Sequence, residues 1–207
     1  MIERAGAEVL VARSLGWLAD GAPRAGWSLP TDTAIVLGSG QQDLPETDLP
    51  VVRRGTGGGA VVCGPGYLML DVVLPSTHPL VLDDVTEAYR WLSEWLIGEL
   101  AADGLRALAP SAVREQSDED RAAARLACFA GFGPYELVTA DGRKLVGLAQ
   151  RRRRQAVLYQ AAAYTEAPLH DLAALLGQPW IAGRLAAIAT LAEVAPRFAA
   201  DPPLPTL

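Results

Sequence analysis

The stretch Arg53-Arg54-Gly55-Thr56-Gly57-Gly58-Gly59-Ala60-Val61 decides how this chain is read. Its glycines invite comparison with a phosphate-binding loop, but no Gly-Lys-Ser/Thr follows, so it is not a P-loop. A dinucleotide fingerprint needs its glycines to open a helix after a strand. These glycines lead instead into Ala60-Val61-Val62, an apolar, β-rich run. Such a loop can bring main-chain N–H groups close to a ligand, because glycine has no side chain in the way. Arg53 and Arg54 add guanidinium donors that suit a carboxylate or phosphate. On spacing alone, a tight connection with two surface arginines accounts for the stretch equally well.

Working outward, short β-rich runs surround the loop. Residues 33–37 end at Gly38-Ser39-Gly40, and residues 50–53 precede the glycines. Residues 60–62 and 67–74 flank the turn Gly64-Pro65-Gly66. A helix is predicted over 7–19, broken by Gly21 and Pro23. The clearest helix is 84–100, where Val85, Ala88, Tyr89, Leu92, Trp95, Leu96 and Leu100 recur at helical spacing. Trp91 and Trp95 belong to that packing face. Residues 109–120, with Pro110, Ser111 and Glu115, read as a polar loop. Asp141-Gly142 between residues 136–139 and 144–146 signals a hairpin, since this dipeptide tolerates the positive φ of a tight turn. A strand over 156–164 and helices over 169–176 and 181–195 complete the chain. The expected fold is α+β, a mixed and largely antiparallel sheet flanked by helices. We expect one domain over 1–207, with a motif-bearing core at about 27–165 and a helical tail at about 169–195.

The 207 residues carry 18 Lys+Arg against 24 Asp+Glu, a formal net charge of −6. That balance argues against a general nucleic-acid or membrane-surface binder. Two cysteines do not make a disulfide scaffold and suit a reducing compartment. No apolar run approaches the ~18–20 residues of a membrane span, and Met1-Ile2-Glu3-Arg4 opens no secretory segment, so a cytoplasmic location is expected. His78 and His170 lack partners at metal-ligand spacing, so no metal site is assigned. Arg151 to Arg154 read as a solvated or partner-facing strand end, able to steer an acidic protein. Seventeen of the basic residues are Arg and one is Lys, at position 144. A lone lysine in an arginine-biased chain suggests a place where arginine cannot substitute.

Residues 53–61 resemble the Arg-Arg-x-Ser/Thr-Gly-Gly-Gly-Ala-Val signature of the biotin/lipoate A/B protein ligase family. Gly142-Arg143-Lys144-Leu145-Val146-Gly147-Leu148-Ala149-Gln150-Arg151 is similar to that family's Gly-x-Lys-Ile/Val-x-Gly-Ser-Ala-Gln-Arg segment. Trp27, residues 33–38 and Gln41 resemble its Trp…Val-Val-Leu-Gly…Gln stretch. The resemblance covers about 27–165. It implies attachment of an octanoyl or lipoyl group to a lysine on the lipoyl domain of a 2-oxoacid dehydrogenase or on the glycine-cleavage carrier. Ligases of the family form an acyl-adenylate with ATP and Mg²⁺. Octanoyltransferases take the acyl group from acyl carrier protein onto a cysteine and need no cofactor.

Two segments favour transfer. Ala127-Cys128-Phe129-Ala130 with Pro134-Tyr135-Glu136-Leu137-Val138 is similar to the Cys-Phe…Tyr-Glu-Leu-Val segment of ligase-like octanoyltransferases, where the cysteine accepts the acyl group. Cys63-Gly64-Pro65-Gly66-Tyr67-Leu68 resembles the His-Gly-Pro-Gly-Gln-Leu motif of another octanoyltransferase branch, with cysteine in place of histidine. Three departures stand out. Leu148 replaces the usual serine, Leu158-Tyr159-Gln160-Ala161 replaces Leu-Gln-His-Gly, and the family's N-terminal helix motif is absent from residues 1–20. These leave a non-catalytic acyl-binding relative as an alternative beside transferase and ATP-dependent ligase.

Thioester exchange needs a thiolate, which a nearby ammonium favours, and the same ammonium can bind the tetrahedral oxyanion. The roles that follow are Cys128 as nucleophile and Lys144 as oxyanion partner. Thr56, Gly57, Gly58 and Gly59 form a main-chain cradle, and Gly147 and Ala149 belong to the lysine segment beside it. Arg54 and Arg151 bind a carboxyl or phosphate end. Trp27, Val61 and Tyr67 line an acyl tunnel, and Cys63 is a second thiol that can face the same pocket.

Overall fold

The computed structural model describes residues 1–44, 47–107, 109 and 117–207. The chain begins with β1 (Ile2–Ala5), α1 (Ala7–Asp20), β2 (Arg24–Pro30) and β3 (Ala34–Leu37). Then come β4 (Val51–Arg53), β5 (Val61–Cys63) and β6 (Tyr67–Pro75). A 3₁₀ turn (Glu87–Tyr89) leads into α2 (Arg90–Ala102), and α3 (Asp118–Leu126) leads into a second 3₁₀ turn, Cys128–Ala130. β7 (Leu137–Val138), β8 (Lys144–Arg152) and β9 (Ala156–Tyr164) follow. The tail holds α4 (Leu172–Leu175), a 3₁₀ turn (Pro179–Ile181), α5 (Ala182–Ala186), α6 (Leu191–Val194) and α7 (Pro196–Ala200).

The strands form a six-stranded sheet in the order β1-β2-β6-β9-β8-β7 and a three-stranded sheet in the order β4-β3-β5. Among the described strands, β1–β2 and β3–β4 pair in parallel and the other strand pairs are antiparallel. The α+β expectation is met, with helices on both faces of the larger sheet. β6 is buried along eight consecutive residues, which explains its near-continuous apolar sequence. Successive side chains point to opposite faces. Leu68, Leu70, Val72 and Leu74 meet Leu92, Leu96 and Leu100 of α2 on one face. On the other face Tyr67 and Met69 meet Leu10 of α1 and Val36, Val61 and Cys63 of the small sheet. A pocket lined by Val36, Val61, Cys63, Tyr67 and Met69 lies in this second layer.

α1 has no side-chain cap of its own. The Asp32 carboxylate accepts from the Ala7 N–H at 2.7 Å, and Gly21 closes the helix at φ 75°. Asp71 on β6 is fully buried and accepts from Arg13 at 2.5 Å and Ser14 at 2.6 Å on that helix. The Gln160 amide donates to the other Asp71 oxygen at 2.7 Å and accepts from Thr56 at 2.5 Å. One polar chain thus ties α1, two central strands and the glycine loop together.

Several expectations need correction. β1 and β2 were not foreseen, because Ile2–Ala5 is short and Arg24–Pro30 carries glycine and proline without clean alternation. α3 begins at Asp118, inside the last three residues of the expected polar loop over 109–120, and runs on to Leu126. It is a charged surface helix with a Ser117–Asp120 capping box and only Ala123 buried; residues 110–116 lie outside the described residues. α2 starts at Arg90 rather than 84, because the Asp84 carboxylate caps the preceding 3₁₀ turn through the Thr86 and Glu87 N–H groups. The first tail helix shortens to α4, ending before Gly177 and Pro179; the second splits into α5 and α6 across residues 187–190, and α7, opening at Pro196, lies beyond it. Among the described residues no helix is long and apolar enough to cross a membrane.

Leu70, fully buried at the centre of β6, supplies a direct stability test. Leu70→Ala should lower unfolding free energy by roughly 2–5 kcal/mol, measured by urea denaturation. Val9→Ala, at a 58% exposed position of α1, should leave it within about 0.5 kcal/mol.

Candidate active site

The nucleophile candidate is placed by main-chain packing. α3 ends at Leu126, and the chain turns over the glycine loop. Ala60 N–H donates to Leu126 O at 2.9 Å, and Cys128 N–H returns to Ala60 O at 3.0 Å. A Cβ on Gly59 would lie 2.6 Å from the Ala127 carbonyl carbon and 2.7 Å from Ala124 O. Only glycine admits that approach. The loop therefore seats the Cys128 turn as well as offering main-chain groups outward.

Arg54 holds the loop from within. Its guanidinium is buried and donates to Gly57 O at 2.8 Å, Gly59 O at 2.9 Å and Val36 O at 3.5 Å. Arg54 also lines the pocket that Cys128 faces, so it braces the loop with most of its donors while bordering the space where a ligand would sit. Arg151 likewise donates to Gly55 O, and it braces the loop from the rim. Thr56 is fully buried and bonded to Gln160 rather than facing a ligand through its hydroxyl. Gly57 and Gly58 open onto a separate groove with Gln41, Asp43 and Arg125.

Cys128 Sγ faces a mainly apolar pocket. Val61, Tyr67, Gly147, Ala149 and Cys63 share its lining, with Gln160 at a polar point on the wall. The structure brings Arg54, Val61, Cys63, Tyr67, Gly147 and Ala149 to this pocket, while Thr56, Gly57, Gly58, Gly59 and Arg151 stand outside its lining. Trp27 lies on the other side of the sheet. It pairs with Leu70 on the α2 side of the sheet, packs edge-on against Phe198 with centroids 5.7 Å apart, and donates to Pro203 O at 2.6 Å. The alternation of β2 and β6 puts it on the face opposite the pocket.

Lys144 opens β8 and is only 3% exposed. Its ammonium has three donors and three acceptors: Cys128 O at 2.5 Å, Gly131 O at 2.8 Å and Glu136 Oε2 at 2.7 Å. It also lies 5.3 Å from the centre of the Phe129 ring. The lysine foreseen as an oxyanion partner thus binds the main chain of the nucleophile turn itself. Its effect on the thiol is weaker than expected. Burial drives the Cys128 thiol above the ordinary range, Lys144 pulls it back, Glu136 pushes it up and Arg54 pulls it down, with burial prevailing. Cys63 is pushed up to about 12 by burial first and then by Asp32.

Three participants escaped the sequence reading as functional residues. Glu136 sat unremarked inside the Tyr-Glu-Leu-Val segment. Gln160 had been read as a departure from the family pattern, and Asp71 as an interior strand position. An acid eight residues before the lone lysine was the available signal for Glu136. Among the described residues, no group of three or more His, Cys, Asp or Glu side chains is arranged to hold a metal.

The model of the lipoyl protein ligase A/B catalytic domain matches residues 27–197, the loop, the nucleophile turn and Lys144 included. The chain belongs to this family. An octanoyltransferase LipM from Kyrpidia tusciae is 32% identical over 184 residues, 83% of this chain and 64% of that protein. That from Geobacillus kaustophilus is 34% identical over 141 residues, 64% of this chain and 49% of that protein. The chain therefore spans about half to two-thirds of these relatives. A lipoate-protein ligase A solved with ATP shares the fold at TM-score 0.68, with 22% identity, over 92% of this chain and 74% of its own. A bipartite lipoate protein ligase from Thermoplasma acidophilum does so at TM-score 0.69 with 20% identity, over 94% of this chain and 74% of its own.

The two thiols should separate cleanly in labelling. At pH 8, iodoacetamide should modify Cys128 and leave Cys63 intact, read by peptide mapping, because Cys63 is 3% exposed and its thiol sits near 12. Gly147→Ala should slow Cys128 labelling at least several-fold, since the new methyl would lie 2.9 Å from Sγ. Equal labelling of both cysteines would contradict this geometry.

Proposed function

We propose that this member of the family transfers an octanoyl or lipoyl group, through a Cys128 thioester, to a lysine of a lipoyl domain. The observation that carries the reading is the placement of Cys128 Sγ in an apolar pocket, on a turn whose carbonyl is bonded to Lys144. About one-third identity to octanoyltransferases supports it. The donor would be an acylated carrier protein, the acceptor the lipoyl domain of a 2-oxoacid dehydrogenase or the glycine-cleavage carrier, and the compartment the cytoplasm, where free thiols persist.

In the first step Cys128 sulfur attacks the donor thioester carbon. A carbon–sulfur bond to Cys128 forms, the bond to the donor sulfur breaks, and the Cys128 proton ends on the departing donor thiol. In the second step the acceptor lysine amine attacks the Cys128 thioester. An amide forms, the carbon–sulfur bond breaks, and a proton from the attacking nitrogen restores the Cys128 thiol. The pocket holds the alkyl chain by burial, worth about 0.8 kcal/mol per methylene. Lys144 supplies fixed positive charge behind the Cys128 turn, through its bond to the Cys128 carbonyl. Its three acceptors converge on one nitrogen. A planar guanidinium spreads its donors across a fork and cannot reproduce that arrangement.

The test uses lipoyl domain as acceptor, with octanoyl carrier protein in one reaction and lipoate with ATP and Mg²⁺ in another. Mass spectrometry should show modification from the octanoyl carrier without ATP. Cys128→Ser should abolish it, and Lys144→Arg should slow it roughly 100-fold or more while the protein stays folded. Modification that depends on ATP and survives Cys128→Ser would make the protein a ligase. No modification under either condition would leave an acyl-binding relative.

A further inference from the structure

Glu136 lies at the centre of an arrangement that acyl transfer, as described, does not use. Its carboxylate is buried, 6% exposed. Oε1 accepts from the Leu148 N–H at 3.0 Å, and Oε2 accepts from Lys144 at 2.7 Å and from the Gly133 N–H. The preceding residue, Tyr135, is the only non-glycine among the described residues with positive φ, 63°. Its hydroxyl donates to Glu87 Oε1 at 2.8 Å. A bulky residue keeps this conformation only where its surroundings enforce it. A Cβ on Gly147 would lie 2.9 Å from Cys128 Sγ and 3.6 Å from Glu136 Oε1. Thiol and carboxylate thus flank one point on β8.

We propose that Glu136 is a positioning residue: its ion pair holds the Lys144 ammonium onto the main chain of the Cys128 turn, and its charge offsets that ammonium beside the thiol. What this means for turnover rests on the acyl-transfer reading. The groups that face the thiol are Lys144 from β8, Glu136 from the turn before β7 and Arg54 from the glycine loop. Tyr67 of β6 and Tyr164 of β9 are phenols that burial keeps neutral, and Cys63 of β5 lines the same pocket. Of the three charged groups, only Glu136 opposes a thiolate. Without its charge, Lys144 keeps two carbonyl acceptors and lacks a counter-ion. The Cys128 thiolate then becomes that counter-ion, so ionisation moves to lower pH.

The experiment follows the rate of Cys128 alkylation by iodoacetamide across pH, read on the Cys128 peptide, with thermal unfolding as a check on the fold. Glu136→Gln should move the midpoint down by about one pH unit, equivalent to roughly tenfold faster labelling below it. Glu136→Asp keeps the charge and should stay near the parent protein. In a Lys144→Gln background Glu136→Gln should lower the midpoint by less, because only the direct repulsion between carboxylate and thiolate is then removed. A folded Glu136→Gln protein with an unmoved midpoint, or equal shifts from both Glu136 substitutions, would overturn the proposal. A second measurement needs no substitution. Lys144 is the single lysine, so isotope-labelled lysine gives one ammonium signal in NMR. Slow solvent exchange of that ammonium is expected; exchange as fast as an exposed lysine would contradict the clamp. Neither readout requires acyl transfer. A moved midpoint without octanoylation would sink the transferase reading and leave Glu136's role standing.

Discussion

Everything that gives this site its form converges on one nitrogen. The Lys144 ammonium is held by two main-chain carbonyls and one carboxylate, and each belongs to a different part of the same turn. Cys128 O fixes the residue that carries the thiol, Gly131 O fixes the exit from its 3₁₀ turn, and Glu136 fixes the approach to β7. A buried ammonium is costly unless fully bonded. With all three bonds made, it organises a segment that has almost no regular structure of its own. Removing one partner of such a buried pair costs about 3–5 kcal/mol, so the turn and the charge cannot be separated.

The second constraint is closeness. The glycine loop first resembles a nucleotide cradle, yet its clearest structural task is to lie under the Cys128 turn, at distances that exclude a Cβ. Arg54 and Arg151 face inward for the same reason. A loop rich in glycine exposes its carbonyls as well as its N–H groups, and the two guanidiniums satisfy them. The floor of the pocket is anchored from below by the Thr56–Gln160–Asp71–Arg13 chain. The pocket wall is thus apolar where it faces the thiol and polar where it must be rigid.

Much of this was legible in the sequence, for identifiable reasons. β3, β5, β6 and β9 are buried apolar runs bounded by turn residues, and the Asp141-Gly142 hairpin announces itself with Gly142 at φ 84°. Cys128, Lys144, Val61, Tyr67 and Gly147 meet because motif segments far apart in the chain lie on neighbouring strands and turns. The signals failed where tertiary context decides. β2 takes its conformation from β6 rather than from its own glycine and proline. α3 is a surface helix with one buried residue, so its charged first turn reads as the end of a loop and its remainder carries no apolar periodicity. Trp27 stands in a recognisable segment, but a one-residue alternation puts it on the wrong face. Direction also escaped: spacing can place Arg54 near a ligand, whereas only coordinates show which way its donors point.

The central claim is that the acyl group rests on Cys128 between donor and acceptor. The direct measurement is a single-turnover chase followed by intact mass spectrometry. The protein is first charged with octanoyl carrier protein, freed of donor, and then mixed with lipoyl domain. The account predicts one hydroxylamine-sensitive octanoyl adduct at Cys128, which disappears at the rate the lipoyl domain gains the same mass. An adduct that persists while the acceptor is modified, or acceptor modification with no adduct at any time, would contradict it.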